Sequence, residues 1–327
     1  MATILETPPK ILPYQGDPHS RPLWSVMIPV YNCANFLPET LYSVLQHDIP
    51  ENTMQIEVVD DASQDADVEE IVNRIGRGRV KYFRQEQNVG SLRNFETCIN
   101  RSKGKFVHLL HGDDRVLPGF YQTMGNLFYQ YPKAGAAICR FRYINEAGKR
   151  LYDQHVEMKS EGILDNWLER VAVKNPSQYA ATAVRREVYE HLGGFYGITY
   201  GEDWEMWVRI AKHYPVAYTP KVLADYRMHS TSISSAKFLT GQNHKDLLRV
   251  MDMIQDHLPH DQRKKVLKKS KKFYAHYGIS VANQVWHSSQ HKEGVKTQIK
   301  HAFDLHFDPK LLFSTAKVYI KMVFNIT

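Results

Sequence analysis

The stretch Gln55-Ile56-Glu57-Val58-Val59-Asp60-Asp61-Ala62-Ser63 decides the fold. Its apolar run reads as a buried strand, and two carboxylates close it where the chain leaves the sheet. Beyond it, Ser63 or Asp65 can cap a helix running to about Ile75, since a short polar side chain accepts a bond from a free first-turn N–H. The unit is a strand, an acidic strand end and a capped helix.

That unit recurs on both sides. Upstream, Trp24–Pro29 is a short apolar strand, followed by Phe36–His47 with Leu37, Leu41, Val44 and Leu45 at helical spacing. Downstream, Val80–Phe83 is a third strand, and Asn88-Val89-Gly90 make a turn. Ser91–Ser102 is amphipathic through Leu92, Phe95 and Ile99, and Gly104 stops it. Phe106–Leu110 is a fourth strand leading to Asp113-Asp114, and Pro118 starts a helix reaching Tyr131. The alternation implies an α/β fold with a doubly wound, mostly parallel sheet flanked by helices. Ligands of such sheets sit beyond the carboxyl ends of the strands. Tyr31-Asn32, Asp60-Asp61 and Asp113-Asp114 all fall there.

Past Cys139 the pattern loosens. Residues 140–180 read as irregular, with a hairpin at Asn145–Lys149 and a helix near Leu164–Ala172. Tyr179–Val184 reads as a strand, Glu187–Leu192 as a short helix, and Asp203–His213 as an aromatic-rich helix. Val216–Tyr218 and Val222–Tyr226 read as two short strands, and from Ala236 onward the chain is helical and Lys-rich.

With 43% hydrophobic and 24% charged residues among 327, the chain suits a folded domain with an appendage. No run approaches the roughly 20 apolar residues of a membrane span. Residues 1–21 carry Pro8, Pro9, Pro13 and Pro18 without an apolar run, which reads as an extended arm and not a secretory signal. Three scattered cysteines, Cys33, Cys98 and Cys139, argue for inert thiols in a reducing, cytoplasmic compartment. The net charge of +7 is localised: residues 236–327 hold 16 Lys/Arg against 7 Asp/Glu. This segment suits an anionic partner, whether a membrane surface, nucleic acid or a phosphorylated acceptor, or is a solvated helix face. Nucleic acid fits less well, since zinc spacing and RNP-like aromatics are missing.

Adjacent carboxylates repel unless a cation stands nearby, so Asp113-Asp114 either bind a divalent ion or cap the helix that follows. Asp60-Asp61 either accept bonds from a nucleobase and a ribose or cap their own helix. Glu202-Asp203 open a helix whose dipole favours the anion, on rigid backbone as a general base requires. His229 is a candidate third metal ligand. His108 and His111 form an HxxH near the acidic pair, which suggests zinc, although HExxH is absent.

Together these stretches resemble glycosyltransferase family 2, of GT-A fold. Val26-Met27-Ile28-Pro29-Val30-Tyr31-Asn32 resembles its first strand and nucleotide loop. Glu57–Ser63 resembles its VVDDGS segment, with Ala62 where Gly is commoner. Asn88-Val89-Gly90 with Arg93-Asn94, and Gly104-Lys105-Phe106-Val107 through Asp113-Asp114, resemble its next two blocks. His111 stands where the family's metal motif usually opens with Asp. Gly193-Gly194-Phe195 with Glu202-Asp203, and Tyr226-Arg227-Met228-His229 with Ser232 and Ser234, resemble its last two.

The resemblance implies an inverting transfer of a sugar from a nucleoside-diphosphate donor to a hydroxyl of a glycan or lipid-linked acceptor. Asp203 is then the base, aided by Glu202. Pro29, Tyr31, Asn32, Asp60, Asp61, Arg93 and Asp113 hold the nucleotide, and Asp113, Asp114 and His229 hold Mn²⁺ or Mg²⁺. The catalytic domain spans 22–235, with a nucleotide-sugar half to about 118 and an acceptor half after it; a basic helical extension spans 236–327. The competing readings are a nucleotidyltransferase, against which Pro29–Phe36 lacks a Gly-rich phosphate loop, and a catalytically degenerate binding protein, which His111 keeps open.

Overall fold

The computed structural model describes residues 6–326. The chain divides into two compact units, one of Met1–Asp165, Pro176–Thr199 and His213–Met228, the other of Asn166–Asn175, Tyr200–Lys212 and His229–Thr327.

The first unit is built on the sheet. In chain order it holds β1 (Trp24–Val30), α1 (Leu37–Leu45), β2 (Met54–Asp60), α2 (Val68–Gly76), β3 (Lys81–Arg84), α3 (Ser91–Arg101) and β4 (Phe106–Leu109). There follow β5 (Arg115–Val116), α4 (Phe120–Gln130), β6 (Ala136–Ile144), β7 (Arg150–Asp153) and β8 (Gly162–Ile163). Strands β3, β2, β1 and β4 are parallel neighbours. This is the half expected from the alternating pattern. Beyond β4 the sheet becomes mixed. After α5 (Trp167–Val173), which belongs to the second unit, come β9 (Thr182–Arg185), antiparallel to both β4 and β6, and α6 (Arg186–Leu192). After α7 (Glu202–His213) comes β10 (Val216–Arg227), parallel to β6.

Strands β1 and β2 are buried almost throughout and are mostly apolar, with Ser25, Gln55, Glu57 and Asp60 as the polar exceptions. Val26, Ile28 and Val30 pack with Ile56, Val58, Leu37, Leu41 and Val44 in one core. Trp24 meets Phe106 and Tyr121 edge-on at ring distances of 5.2 and 5.3 Å. Extended residues 6–21 bury Ile11, and Gly194 donates its N–H to Pro9 O at 2.8 Å.

Several local expectations are corrected. Helix α2 is capped by Asp67, whose carboxylate accepts from Glu70 N at 2.9 Å. Ser63 and Asp65 instead bond across to the loop after β1, at Asn32 N and Ala34 N. Helix α3 ends at Arg101, before Gly104, and a Cβ on Gly104 would lie 2.4 Å from Ser25 N; that glycine lets the β4 entry approach β1. Helix α4 begins at Phe120, after Gly119 at φ 87°. The hairpin expected at Asn145–Lys149 is present, and its arms β6 and β7 make residues 140–153 regular where irregular chain was expected around it. Tyr179–Ala181 form a 3-10 turn before β9 begins at Thr182. The two strands expected around Val216–Tyr226 are one strand with register shifts between Thr219 and Ala224.

The second unit is helical: α5, α7, then α8 (Ile233–Thr240), α9 (Gln242–Gln255), α10 (His260–Ser289), α11 (Lys292–Leu305) and α12 (Pro309–Val323). Helix α10 buries Val266, Tyr274, Ala275, Ile279, Ala282, Val285 and Trp286. Glu205 is fully buried and paired with Arg209 at 3.0 Å and His257 at 2.7 Å. Among the described residues, no helix is long and apolar enough to cross a membrane.

Candidate active site

Within the first unit, the loops leaving β1 and β2 are stitched together. Asp61 N donates to Val30 O at 2.8 Å. Asn32, at φ 50°, accepts on Oδ1 from Gln64 N at 2.8 Å and donates its N–H to Ser63 Oγ at 3.0 Å. Between these bonds Tyr31 stands half exposed. Pro29 lies in β1 opposite Val59, and its carbonyl receives Gly112 N at 3.3 Å. A Cβ on Gly112 would lie 2.8 Å from Cys33 Sγ and 2.9 Å from Val30 Cγ2. Only glycine seats the acidic loop against β1 at this distance.

Asp60 and Asp61 have different partners. Asp60 is fully buried; one oxygen accepts from Ser63 N at 2.9 Å, the other from Tyr82 Oη at 2.8 Å and from the Arg84 guanidinium. Arg84 also reaches Ser63 O at 2.9 Å. Asp61 spans the Asn88-Val89-Gly90 turn, accepting Val89 N at 2.8 Å and Gly90 N at 3.0 Å. Burial raises the Asp61 carboxyl above its ordinary range, and those two N–H groups oppose the rise. Neither aspartate caps α2. Between them and Ser63, Ala62 is held at φ 60°, the conformation that makes glycine commoner at this position.

The Asp113-Asp114 loop is anchored by a residue to which the sequence pattern assigns no role. Arg227, at the end of β10, has a fully buried guanidinium. It donates Nε to Asp113 O, one Nη to Glu146 O and the other to Glu39 Oε2, each at 2.8 Å, and stacks over Phe36 at 4.9 Å. Its backbone N–H donates to Asp114 Oδ1 at 2.8 Å. In the sequence Arg227 stands out only as part of the block that leads to His229. Its target loop lies more than a hundred residues away in the chain, where sequence spacing gives no signal.

His111, Asp113 and Asp114 each offer a ligand atom within 4.8 Å of the others. Burial, reinforced by the charge of Asp113, pushes the Asp114 carboxyl well above its usual range. Burial lowers the His111 imidazole, against the pull of Asp113, and so keeps the ring neutral. That ring stacks on Tyr179 at 4.4 Å and Phe95 at 5.2 Å, and its Nε2 is buried without a hydrogen-bond partner. A neutral imidazole with a free nitrogen beside two mutually repelling carboxylates fits a divalent cation.

His108 does not share this arrangement. It is fully buried, near Tyr121 Oη and Ala180 O, and burial lowers it to about 3, so the HxxH reading of zinc does not hold. Arg93 lies on α3, paired with Glu96 at 2.7 Å. The three thiols are free, and burial pushes each up into inertness.

In the second unit, Glu202 and Asp203 occupy the first turn of α7, both buried. Asp203 Oδ2 accepts from Asn175 Nδ2 at 2.7 Å and Oδ1 from Trp204 N at 2.7 Å. Burial nevertheless raises its carboxyl to about 6, the range of a base working near neutrality. Trp204 Nε1 donates to Val171 O at 2.6 Å and fixes that turn. His229 Nδ1 lies 2.8 Å from Thr231 Oγ1, and its carbonyl accepts from Ser235 Oγ at 2.8 Å.

Paired carboxylates line the carboxyl ends of the parallel strands, where α/β enzymes bind their ligands. The family model for glycosyl transferase family 2 matches residues 25–193, more than half of the chain, and the chain belongs to that family. An uncharacterised protein of Mycobacterium tuberculosis is 27% identical over 255 residues, 72% of this chain and 76% of its own length. An uncharacterised glycosyltransferase of Rickettsia felis is 26% identical over 64% of this chain, which spans only 35% of that protein. Among solved structures, S. aureus TarS 1-349 in complex with UDP-GlcNAc superposes with a TM-score of 0.61 at 16% identity, over 92% of this chain and 89% of that one. Mannosyltransferase PcManGT from Pyrobaculum calidifontis, in complex with GDP-Man and Mn²⁺, superposes with a TM-score of 0.58 at 16% identity, over 98% and 92%. The fold is GT-A, and the protein is a glycosyltransferase.

Proposed function

We propose that this enzyme moves a sugar from a nucleoside-diphosphate sugar to a hydroxyl of a glycan or lipid-linked acceptor, inverting the anomeric carbon and using a divalent metal. The observation that carries the metal is the group of His111, Asp113 and Asp114, with a neutral imidazole whose Nε2 has no partner. An imidazole beside carboxylates favours Mn²⁺ over the harder Mg²⁺. His111, Asp113 and Asp114 would hold the cation, which would supply Lewis-acid stabilisation of the departing diphosphate. The Mn²⁺ in the complex of the Pyrobaculum mannosyltransferase supports this reading.

The remaining steps use the chain's own groups. The acceptor oxygen forms a bond to the anomeric carbon as the bond to the β-phosphate oxygen breaks, and that oxygen keeps the electron pair. Asp203 takes the acceptor proton; a carboxyl raised to about 6 is ionised at neutral pH yet basic enough to hold it. Glu202 orients neighbouring groups. Asp60 and Asp61 read base and ribose with the lone pairs that Ser63, Tyr82, Arg84, Val89 and Gly90 leave over. Tyr31 packs beside the base, Pro29 and Asn32 shape its loop, Arg93 neutralises phosphate, and His229 assists at the metal.

This activity belongs to cytoplasmic synthesis of cell-surface polysaccharide or glycolipid. A panel of nucleoside-diphosphate sugars, scored for slow hydrolysis and thermal stabilisation with Mn²⁺ and with chelator, tests it. One donor is expected to stabilise and turn over only with metal. Equal binding in chelator would sink the metal assignment.

A further inference from the structure

Helix α12 carries two apolar rows. Leu311, Thr315 and Val318 are buried in the helical unit. Leu312, Phe313, Tyr319, Ile320 and Val323 are 42–76% exposed, and the row continues into Phe324 and Ile326. At 100° per residue, Leu312, Tyr319, Ile320 and Val323 fall on one face, with Phe313 and Phe324 at its border. Lys310 and Lys317 line that border, and the Lys317 ammonium lies 4.4 Å over the Phe313 ring. No acidic residue occurs from Pro309 to Thr327.

This is no frayed end. Asp308 caps the helix by accepting Leu311 N at 2.8 Å, and Lys272, His276 and His306 surround its carboxylate at 3.2–3.3 Å. Trp286 Nε1 donates to Ile326 O at 2.9 Å, and Lys321 Nζ is engaged by Asn283 Oδ1 at 2.9 Å. The fold holds an apolar face of this size in the open, where folded monomers rarely leave one uncovered.

We infer that α12 seats the protein on an anionic bilayer surface, lying in the plane of the interface with Phe313, Ile320 and Val323 at the acyl boundary and Lys310 and Lys317 among the phosphates. Fifteen residues are too few to span, and a surface helix with a cationic border is the form that lies flat on anionic lipid. The 16 Lys/Arg against 7 Asp/Glu of residues 236–327 add long-range attraction of the same sign. A second copy fits less well. Pairing two α12 faces antiparallel about a two-fold axis brings their lysine borders to the same side, and in either pairing the helix offers no carboxylate to neutralise the partner's lysines. The inference goes beyond the transfer reaction by naming the surface and residues through which the enzyme reaches a membrane-held acceptor.

The test is sedimentation of the full chain with phosphatidylcholine vesicles and with phosphatidylcholine–phosphatidylglycerol vesicles. Binding is expected only to the latter, and to weaken with salt. Replacing Phe313, Ile320 and Val323 together by Ser should lower partition at least about 100-fold. Lys310→Gln with Lys317→Gln should lower it roughly 5-fold per charge. Because the five side chains are on the exposed side of the helix, thermal unfolding of both variants should match the parent and so excludes misfolding. Undiminished binding of the triple variant would overturn the inference. So would a parent that ignores phosphatidylglycerol, or one that light scattering shows to be a dimer dissociated by the triple substitution. Vesicle binding requires neither donor nor metal, so this outcome and that of the donor panel are separable.

Discussion

Arg227→Met removes one guanidinium and leaves a side chain of similar stem. The guanidinium is fully buried and gives charge-assisted bonds to Asp113 O and Glu146 O, both at 2.8 Å. Each such bond is worth about 1.5–3 kcal/mol when a charged donor is lost from a buried site. The third bond, to Glu39, counts for little: that carboxylate is 45% exposed, keeps Arg115 at 2.7 Å, and is screened to roughly 0.5 kcal/mol. Partial relaxation brings the expected loss to about 3–5 kcal/mol, in line with breaking other buried charge networks. For a unit of this size that lowers the melting temperature by roughly 6–20 °C. Asp113 also loses the anchor on its carbonyl, so Mn²⁺ affinity should fall about 10- to 100-fold, as when outer-shell partners of a metal site are removed. Urea unfolding measures the first effect, and calorimetric titration with Mn²⁺ and nucleoside diphosphate, below the variant's melting range, the second. Arg227→Lys, which keeps the charge but not the fork, should fall between. If Arg227→Met costs less than about 1 kcal/mol and binds Mn²⁺ normally, the loop is not held in the way described.

The remaining expectations are narrower. Asp203→Asn should abolish turnover while leaving donor binding near the parent value. Because the Asp203 carboxyl is raised to about 6, kcat should climb tenfold per pH unit below that value and level off above it; Asn175→Ala, which removes a bond to the ionised form, should move the bend upward. Ala62→Gly should stabilise the fold by about 0.5–1 kcal/mol in urea unfolding, since it relieves left-handed strain at φ 60° worth roughly 1–2 kcal/mol and returns part of that as unfolded-chain entropy. His111→Asp should shift metal preference toward Mg²⁺ in the donor-binding assay, by exchanging an imidazole for a hard oxygen ligand; an unchanged Mn²⁺ to Mg²⁺ ratio would remove His111 from the ligand set.

The parallel half of the sheet was legible because β1, β2 and β4 are almost wholly buried and mostly apolar, and because helical spacing follows each strand in turn. Strand β6 was not, since Arg140 and Arg142 break the apolar pattern. The fold resolves that conflict with partners the sequence does not advertise. The Arg140 guanidinium bonds to Gln154 O at 2.7 Å, and Arg142 joins Arg115 around the fully buried Asp225. Strand β10 was divided at Pro220-Lys221 for a related reason: a proline inside a run argues against a strand, but a register shift absorbs it here. The misplaced cap of α2 has the same origin. Ser63 and Asp65 have the right chemistry for a cap, yet tertiary partners at Asn32 and Ala34 claim them first.

The carboxylate pairs were legible as pairs, whereas what separates one aspartate from its neighbour was not. Adjacent positions at a strand end have the same sequence signature, but they point to opposite sides and meet different groups. Asp60 turns toward β3 and finds Tyr82 and Arg84; Asp61 turns toward the 88–90 turn and finds two N–H donors. The same divergence governs the second pair. Asp114 bonds inward to the backbone of Arg227 and is raised by burial, while the loop keeps Asp113 close to the His111 imidazole, whose Nε2 has no hydrogen-bond partner. The substitution that most departs from the family pattern therefore lies among the groups best arranged to share a cation. With a neutral ring in place of a third carboxylate the site carries one negative charge fewer, and less of its affinity can come from charge alone. Donor softness must supply more of it, which is why the metal series, and not the presence of metal, is the sharper measurement.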